Sequence, residues 1–151
     1  MAIEIGQAAP DFSLPNSNND QVTLESLRGN KTLLVFIPFP FTGVCTGELC
    51  ELQENLGKLT DLGANVVAIT CDTRFSNGAW AEQEEIEYPV LSDFWPHGEV
   101  SKVYGVFNSS LGAAVRTTFV LDAKGTVTDI IKSEELAEAR HIEDYLSALS
   151  N

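Results

Sequence analysis

Cys45 and Thr42, three residues apart, lie where a buried strand passes into a helix, and a cysteine in such a place can act as a nucleophile. Residues 32–37 form an apolar, β-branched run that is too short for a helix and predicts the strand. From Cys45 to about Gly63, leucines at helical spacing predict an amphipathic helix. The unpaired N–H groups and the positive dipole end of its first turn favour an anion, and a Cys45 thiolate is such an anion.

Two prolines and a hydroxyl group shape this junction. Pro38 and Pro40 fix the backbone direction and remove two N–H donors, so we expect Pro38 to form a narrow, apolar wall of the site. The Thr42 hydroxyl can accept a hydrogen bond from the thiol region and donate one to a bound oxygen. Taken alone, the same residues are compatible with a buried structural cysteine beside an ordinary N-cap threonine.

Residues 38–45 resemble the Pro-x-x-x-Thr-x-x-Cys signature of the peroxiredoxins. Other segments resemble that family in the same order along the chain, namely residues 6–12, 92–93 and 116–120. Residues 39–45 and 91–98 are most similar to the alkyl hydroperoxide reductase E group. The resemblance extends from about Gly6 into the last helix. It implies a thiol-dependent peroxidase that reduces hydrogen peroxide or organic hydroperoxides.

The order of the predicted elements favours a mixed α/β fold. The predicted strands and helices are an N-terminal hairpin ending at 22–24, strands at 65–70 and 88–91, helices at 76–85 and 99–104, a hairpin at 117–131 and a closing helix from about 134 to 148. This order favours a mixed sheet with helices on both faces. The resemblance implies a single domain over residues 1–151. Its expected fold is the thioredoxin fold of peroxiredoxin type, a central mixed sheet flanked by helices with an N-terminal hairpin extension.

Composition narrows the classes of function. At 151 residues the chain is long enough for one domain with a sizeable hydrophobic core. Its formal net charge of -13 disfavours nucleic acid and anionic membranes as partners. An N-terminal apolar segment and a run of membrane-spanning length are both missing from the sequence, so we expect a cytoplasmic protein. Three cysteines without CxxC or metal-type spacing favour reactive chemistry, and no sequence motif implies a cofactor or a metal.

Peroxide reduction requires groups that stabilise negative charge on the sulfur and on two oxygens. Cys45 would be the nucleophile, helped by Thr42 and by backbone N–H groups at the helix start. Arg116, one of only nine basic residues, opens an apolar strand and would supply a permanent cation. The resemblance implies that Glu48 fixes the Arg116 guanidinium and that Trp80 packs nearby. Taken alone, the glutamate is typical of a first helical turn and the tryptophan of a core.

Cys50 is the candidate resolving cysteine. It follows Cys45 by five residues, a spacing that resembles peroxiredoxin Q-type enzymes, whereas the alkyl hydroperoxide reductase E group uses one cysteine. In an intact helix the two Cα atoms would be about 8–9 Å apart, while a disulfide needs less than about 7 Å, so the first turns would have to unwind. Gly47 weakens the helix by about 1 kcal/mol relative to alanine. The alternative is resolution by an external thiol, from thioredoxin, a glutaredoxin-type protein or a low-molecular-weight thiol.

Three other residues offer weaker candidates. Cys71 follows the 65–70 strand and is a possible substitute resolver, although a small buried side chain is the simpler interpretation. His97 lies in a loop with no partner motif, and we expect it to be structural. His141 lies in the last predicted helix, and we expect it to be at the surface.

Two other classes of function, and assembly into a homodimer, are compatible with the sequence. A thiol–disulfide oxidoreductase is disfavoured because residues 42–45 lack the first cysteine of CxxC. A non-enzymatic redox sensor would use the same oxidised helix to alter a binding surface. The family resemblance implies a homodimer formed through loops near the active site. The aromatic residues that could form its contact face, or belong to the core, are Phe39, Phe41, Phe94 and Trp95.

Overall fold

Nine strands and six helices are present in the computed structural model, which describes residues 3–133 and 138–150. In chain order they are β1 (Ser13–Pro15), β2 (Gln21–Thr23), α1 (Leu24–Leu27), β3 (Lys31–Phe36), α2 (Gly43–Glu54), α3 (Leu56–Asp61), β4 (Ala64–Thr70), α4 (Arg74–Gln83), β5 (Val90–Ser92), α5 (Glu99–Val103), β6 (Phe107–Asn108), β7 (Ala113–Ala114), β8 (Thr117–Leu121), β9 (Val127–Lys132) and α6 (Ile142–Leu149). None of the helices within these ranges combines the length and the hydropathy needed to cross a membrane.

A five-stranded mixed sheet forms the centre of the fold, in the order β5-β4-β3-β8-β9. The strands β3, β4 and β5 are parallel, whereas β8 is antiparallel to both β3 and β9. Two small hairpins, β1-β2 and β6-β7, lie outside this sheet. The mixed sheet and the N-terminal hairpin are as predicted. Because β3, β4 and β5 are parallel, the segments that follow them meet at one edge of the sheet.

The two faces of the sheet carry separate hydrophobic clusters because successive side chains of β3 point in opposite directions. Leu34 and Phe36 belong to the cluster with α1, α5 and the N-terminal hairpin. Leu33 and Val35 belong to the cluster with α2, α3, α4 and α6. Cys45 lies in this second cluster. Helices therefore cover both faces, as the sequence predicts.

The predicted helix from Cys45 to Gly63 is divided in two at Asn55. The Asn55 side-chain amide donates a hydrogen bond to the carbonyl oxygen of Glu51 at 2.9 Å, and its backbone N–H donates to the same oxygen at 3.1 Å. A side chain that binds the helix backbone in this way competes with continuation of the helix. The helix that contains Cys45 and Cys50 is therefore α2 alone.

Two other predicted boundaries were wrong. The helix expected from residue 76 begins at Arg74, because the Thr73 hydroxyl caps it by accepting a hydrogen bond from the Ser76 N–H at 3.1 Å. The closing helix expected from residue 134 begins at Ile142, while residues 134–137 lie outside the described residues. Residues 138–141 are not helical, and the Arg140 N–H donates to a side chain of α2 rather than to a helical carbonyl. The hairpin β6-β7 was not predicted, since its strands have only two residues each.

Candidate active site

Cys45 lies in the first turn of α2 and is 1% exposed. Thr42 is the N-cap residue, and the Thr46 N–H donates to its carbonyl oxygen at 2.9 Å. The N–H groups of Gly43, Val44 and Cys45 precede this bond, so they have no acceptor within the helix. The cysteine therefore lies beside backbone donors at the positive end of the helix dipole, in the helix that follows β3 after a loop of six residues, 37–42.

The loop between β3 and α2 is held in an unusual conformation. Pro38, two residues after the end of β3, is buried. The Thr42 hydroxyl donates a hydrogen bond to the carbonyl oxygen of Phe39 at 2.8 Å, so the Thr42 oxygen remains an acceptor and must release Phe39 before it donates elsewhere. Phe41 has a φ of 65°, a left-handed conformation that disfavours a side chain by about 1–2 kcal/mol. Backbone strain of this kind is common where a loop shapes a functional site.

Arg116 lies at the same edge of the sheet as Cys45 because β8 runs antiparallel to β3. Phe36 at the end of β3 pairs with Thr117 at the start of β8, which places Arg116 beside the end of β3. Arg116 is 2% exposed, and its guanidinium donates a hydrogen bond to Oε1 of Glu48. Glu48 follows Cys45 by three residues, so the two side chains lie on the same side of α2. The structure thus brings Glu48 and Arg116 together near the cysteine.

Arg140 is a third member of this charged cluster, and the sequence analysis missed it. Its Nε and Nη2 atoms donate to Glu48 at 2.8 and 3.0 Å, and its backbone N–H donates to the same carboxylate at 2.9 Å. Its Nη1 atom donates to the carbonyl oxygen of Phe36 at 2.9 Å and to the Thr118 hydroxyl at 3.2 Å. The only feature of the sequence that pointed to Arg140 as a site residue was the scarcity of basic residues. Because Arg140 lay in a predicted helix, nothing distinguished it from a solvent-exposed charge.

The cluster of Arg116, Glu48 and Arg140 carries a net positive charge. Burial by itself raises the pKa of Glu48, yet the hydrogen bonds and charge of Arg140 and the charge of Arg116 bring that pKa below its usual value. Glu48 is therefore ionised, and two guanidinium groups surround one carboxylate. The charge of Arg140 interacts with that of a Cys45 thiolate. The cluster thus places one net positive charge near the Cys45 sulfur.

Trp80 packs against the helix of Cys45. It is fully buried, and its Nε1–H donates a hydrogen bond to the Thr46 hydroxyl at 3.0 Å. Its ring centroid lies 6.3 Å from that of Phe41. Trp80 therefore supports both the first turn of α2 and the loop before it. The position beside Arg116 that the resemblance implies stays a prediction.

Comparison with known proteins decides the family. A model of the AhpC/TSA family matches residues 5–130. The chain belongs to this family. Alkyl hydroperoxide reductase E of Mycobacterium tuberculosis is 41% identical over 151 residues, which cover 98% of this chain and 99% of the relative. Chloroplastic peroxiredoxin Q of Arabidopsis thaliana is 34% identical over 145 residues, which cover 95% of this chain and 66% of the relative.

The structural comparison agrees with the family. The crystal structure of peroxidoxin BcpB from Mycobacterium tuberculosis superposes with a TM-score of 0.88 at 30% identity, over 98% of this chain and 97% of that one. This match confirms the thioredoxin fold of peroxiredoxin type. The chain is thus similar both to alkyl hydroperoxide reductase E and to Q-type peroxiredoxins, as the sequence motifs indicated.

Cys50 of this peroxiredoxin lies on α2 but contacts a different element from Cys45. It is half-buried, and its Sγ donates a hydrogen bond to Oε1 of Glu84, next to the end of α4, at 3.4 Å. Both cysteines are free thiols on one continuous helix. Burial, the hydrogen bond to Glu84 and the charges of Glu84 and Glu54 all raise the pKa of Cys50. A Cys45–Cys50 disulfide therefore requires part of α2 to unwind.

The remaining candidates occupy structural positions. Cys71 is 5% exposed, its sulfur lies 3.6 Å from the Ser101 hydroxyl, and burial raises its pKa to about 11. Such a thiol suits a buried side chain rather than a thiolate nucleophile. The His97 ring nitrogens lie 2.7 Å from the carbonyl oxygen of Gly112 and 3.3 Å from that of Phe94, so the histidine ties two loops together. His141 is exposed at the start of α6, as predicted for a surface residue.

Exposed aromatic side chains lie in the segments that follow β3, β4 and β5, at the sheet edge that also carries Cys45. They are Phe41 (51% exposed), Phe75 (70%), Phe94 (45%) and Trp95 (82%), and we call them the aromatic face. Phe39 is half-buried. Three of the four predicted contact residues are thus at the surface rather than in the core, and Phe75 was not predicted.

Proposed function

We propose that this peroxiredoxin is a thiol-dependent peroxidase that reduces hydrogen peroxide and organic hydroperoxides to water or alcohols. The observation that carries the proposal is the buried Cys45 at the start of α2, beside the cationic cluster of Arg116, Glu48 and Arg140. The Cys45 thiolate attacks the terminal oxygen of the peroxide and the O–O bond breaks. The other oxygen leaves as hydroxide or alkoxide and takes a proton from solvent, and the sulfur becomes a sulfenic acid.

The surrounding residues stabilise charge that moves from the sulfur to the leaving oxygen. In this proposal the Arg116 guanidinium donates hydrogen bonds to the sulfur and to a peroxide oxygen, and Glu48, itself bound by Arg140, holds Arg116 in place. The N–H groups that precede the first helical bond of α2 offer further donors. Pro38 forms the apolar wall of the site. Thr42 releases Phe39 and donates to the peroxide.

Replacing Thr42 by valine should lower the second-order rate of Cys45 oxidation by about 10-fold to 10²-fold, because a hydrogen bond made only in the transition state is lost. Serine keeps the hydroxyl, so Thr42→Ser should stay within a few-fold of the natural protein. Stopped-flow tryptophan fluorescence against hydrogen peroxide concentration measures both rates. Equal rates for Thr42→Val and Thr42→Ser would show that the Thr42 hydroxyl does not take part in the oxidation of Cys45.

For the second half of the cycle we propose that Cys50 resolves the Cys45 sulfenic acid as an intramolecular disulfide. Cys50 lies on the same helix as Cys45, and Gly47 between them makes local unwinding easier. The alternative is that an external thiol resolves Cys45 directly. In both cases a thiol reductant completes the cycle, from thioredoxin, a glutaredoxin-type protein or a low-molecular-weight thiol.

The proposal includes a homodimer and a cytoplasmic location. The aromatic face supports the homodimer, because exposed aromatic side chains are enriched at protein–protein contacts. Its position at the sheet edge of Cys45 would place the contact of the two protomers near the site. A reducing compartment agrees with three free thiols in one chain.

Stopped-flow mixing of the reduced protein with peroxide tests the proposed activity. We expect Cys45 to react about 10³-fold or more faster than free cysteine at the same pH, the scale that electrostatic stabilisation provides. A rate close to that of free cysteine would instead favour the redox sensor or the thiol–disulfide oxidoreductase. Exchange of the reduced protein with a small disulfide, measured in parallel, separates these two alternatives.

A further inference from the structure

We propose that Glu84 holds Cys50 on the side of α2 that faces residues 80–88 and so slows the closure of the Cys45–Cys50 disulfide. Glu84 is thus a positioning residue that sets how long the Cys45 sulfenic acid survives. This inference rests on the proposed resolving role of Cys50. It concerns the rate of resolution and leaves the attack on peroxide unchanged.

The Glu84 carboxylate is fixed in position against the Cys50 thiol. Its Oε1 accepts the hydrogen bond from Cys50 at 3.4 Å, and its Oε2 accepts one from Nε2 of Gln83 at 3.2 Å. The Glu84 backbone N–H donates to the carbonyl oxygen of Trp80 at 3.1 Å, which caps α4. Residues five apart on a helix are rotated by about 140°, so a sulfur held by this carboxylate stays on a different side of α2 from Cys45.

This contact belongs to a row of hydrogen bonds between residues 80–88 and one side of α2. The others are Trp80 Nε1–H to the Thr46 hydroxyl (3.0 Å), the Tyr88 hydroxyl to the Leu49 carbonyl oxygen (2.7 Å), the Glu87 N–H to Oε1 of Gln53 (2.8 Å) and Nε2 of Gln53 to Oε2 of Glu87 (3.1 Å). Cys50 lies in the middle of this row. The unwinding that brings Cys50 to Cys45 must therefore break the bond to Glu84.

The negative charge of Glu84 also slows closure of the disulfide, as its hydrogen bond to Cys50 does. Cys50 must lose its proton before it attacks, and a carboxylate at hydrogen-bond distance disfavours the thiolate. The groups that act on Cys50 are the carboxylates of Glu84 and Glu54, together with the phenol of Tyr88. Burial and these two carboxylates raise the pKa of Cys50. Glu84 thus opposes both the departure of the thiol and its ionisation.

The step that Glu84 slows is the attack of Cys50 on the oxidised Cys45. Cys50 leaves Glu84 and loses its proton, and its thiolate sulfur attacks the sulfenic sulfur of Cys45. The S–S bond forms as the S–O bond breaks, and the departing hydroxide takes up a proton to give water. Cys50 is oxidised and the sulfenic sulfur is reduced to the level of a disulfide. Any delay gives a second peroxide time to convert the sulfenic acid to a sulfinic acid.

Single-turnover kinetics of Glu84→Gln test the inference. Glutamine keeps the size of the side chain and can still accept from the thiol, but it carries no charge. After one equivalent of hydrogen peroxide, acid quenching and mass spectrometry follow the disulfide with time. We expect closure about 3-fold to 10-fold faster than in the natural protein at pH 7, because removal of the neighbouring negative charge favours the thiolate that attacks. Cys45 oxidation itself should be unchanged.

Glu82→Gln is the matched control, because Glu82 is exposed on the same helix and the charge change is identical. This variant should form the Cys45–Cys50 disulfide at the same rate as the natural protein. A second readout uses the Cys45→Ser background, in which iodoacetamide alkylates Cys50 over a pH series. Glu84→Gln should move the midpoint of alkylation to lower pH, a shift that a purely structural contact would not produce.

The outcomes separate this inference from the cycle on which it rests. If the natural protein forms the disulfide and neither Glu84→Gln nor Glu84→Ala, which also removes the acceptor, closes it faster, the role of Glu84 is wrong while the cycle stands. If the natural protein forms no Cys45–Cys50 disulfide, both the cycle and the role of Glu84 are wrong. Faster closure together with the shifted alkylation profile supports the inference.

Discussion

Replacement of Arg116 by methionine is expected to lower the second-order rate of Cys45 oxidation by about 10²–10³, the usual loss when one preorganised charge-stabilising group is removed. Methionine fills a similar volume but offers no charge or donor. Arg116→Lys keeps the positive charge but loses the planar, two-pronged guanidinium. Its rate of Cys45 oxidation should lie between those of the natural protein and of Arg116→Met. Stopped-flow fluorescence at several peroxide concentrations gives the three rates.

A matched control for this prediction is Arg74→Met. Arg74 also carries one of the few positive charges, but its guanidinium lies 4.2 Å from the ring centroid of Phe75 and donates to the carbonyl oxygen of Ser17. Its removal changes the net charge equally and should leave the rate within a few-fold of the natural protein. If Arg116→Met reacted as fast as Arg74→Met, the cation at the reacting sulfur would have to be another group.

Arg140 shows why the charged cluster was only partly predictable from the sequence. Arg116 and Glu48 lie in segments with a recognisable motif, and strand pairing then brings them together. Arg140 comes instead from a stretch whose pattern predicted a helix. Its backbone N–H and guanidinium both bind Glu48, a residue 92 positions away along the chain. An ion pair of that sequence separation overrides the local helical preference, and local periodicity has no information about it.

The hydrogen-bond partners of the Thr42 hydroxyl and the Cys50 thiol also depend on tertiary contacts. The position of Thr42 before the helix follows from the strand-to-helix pattern, but its hydrogen bond to Phe39 depends on how the loop folds back. The bond between Cys50 and Glu84 joins α2 to residues 34 positions later. The five-residue spacing predicted the need for unwinding. It did not predict which neighbour the unwinding must displace.

Replacement of Cys50 by serine is expected to abolish the monomeric disulfide and to leave Cys45 as a sulfenic acid after one equivalent of peroxide. A dimedone adduct on Cys45, near zero in the natural protein, should become close to stoichiometric. With excess peroxide, the fraction of Cys45 that gains two oxygens should rise about tenfold or more, because nothing intramolecular competes with further oxidation. Mass spectrometry of the intact protein and of its peptides measures all three species.

Cys71→Ser is the control for this variant, because it removes one thiol while leaving Cys50 in place. Cys71 is buried and its pKa is raised to about 11, so its loss should change neither the disulfide nor the dimedone adduct. The decisive measurement is steady-state turnover of Cys50→Ser with a fixed thiol reductant. If that turnover equals the natural rate, an external thiol reaches Cys45 directly and the helix need not unwind. If turnover collapses while the first oxidation stays fast, resolution runs through Cys50 and the partial unwinding of α2 belongs to the catalytic cycle.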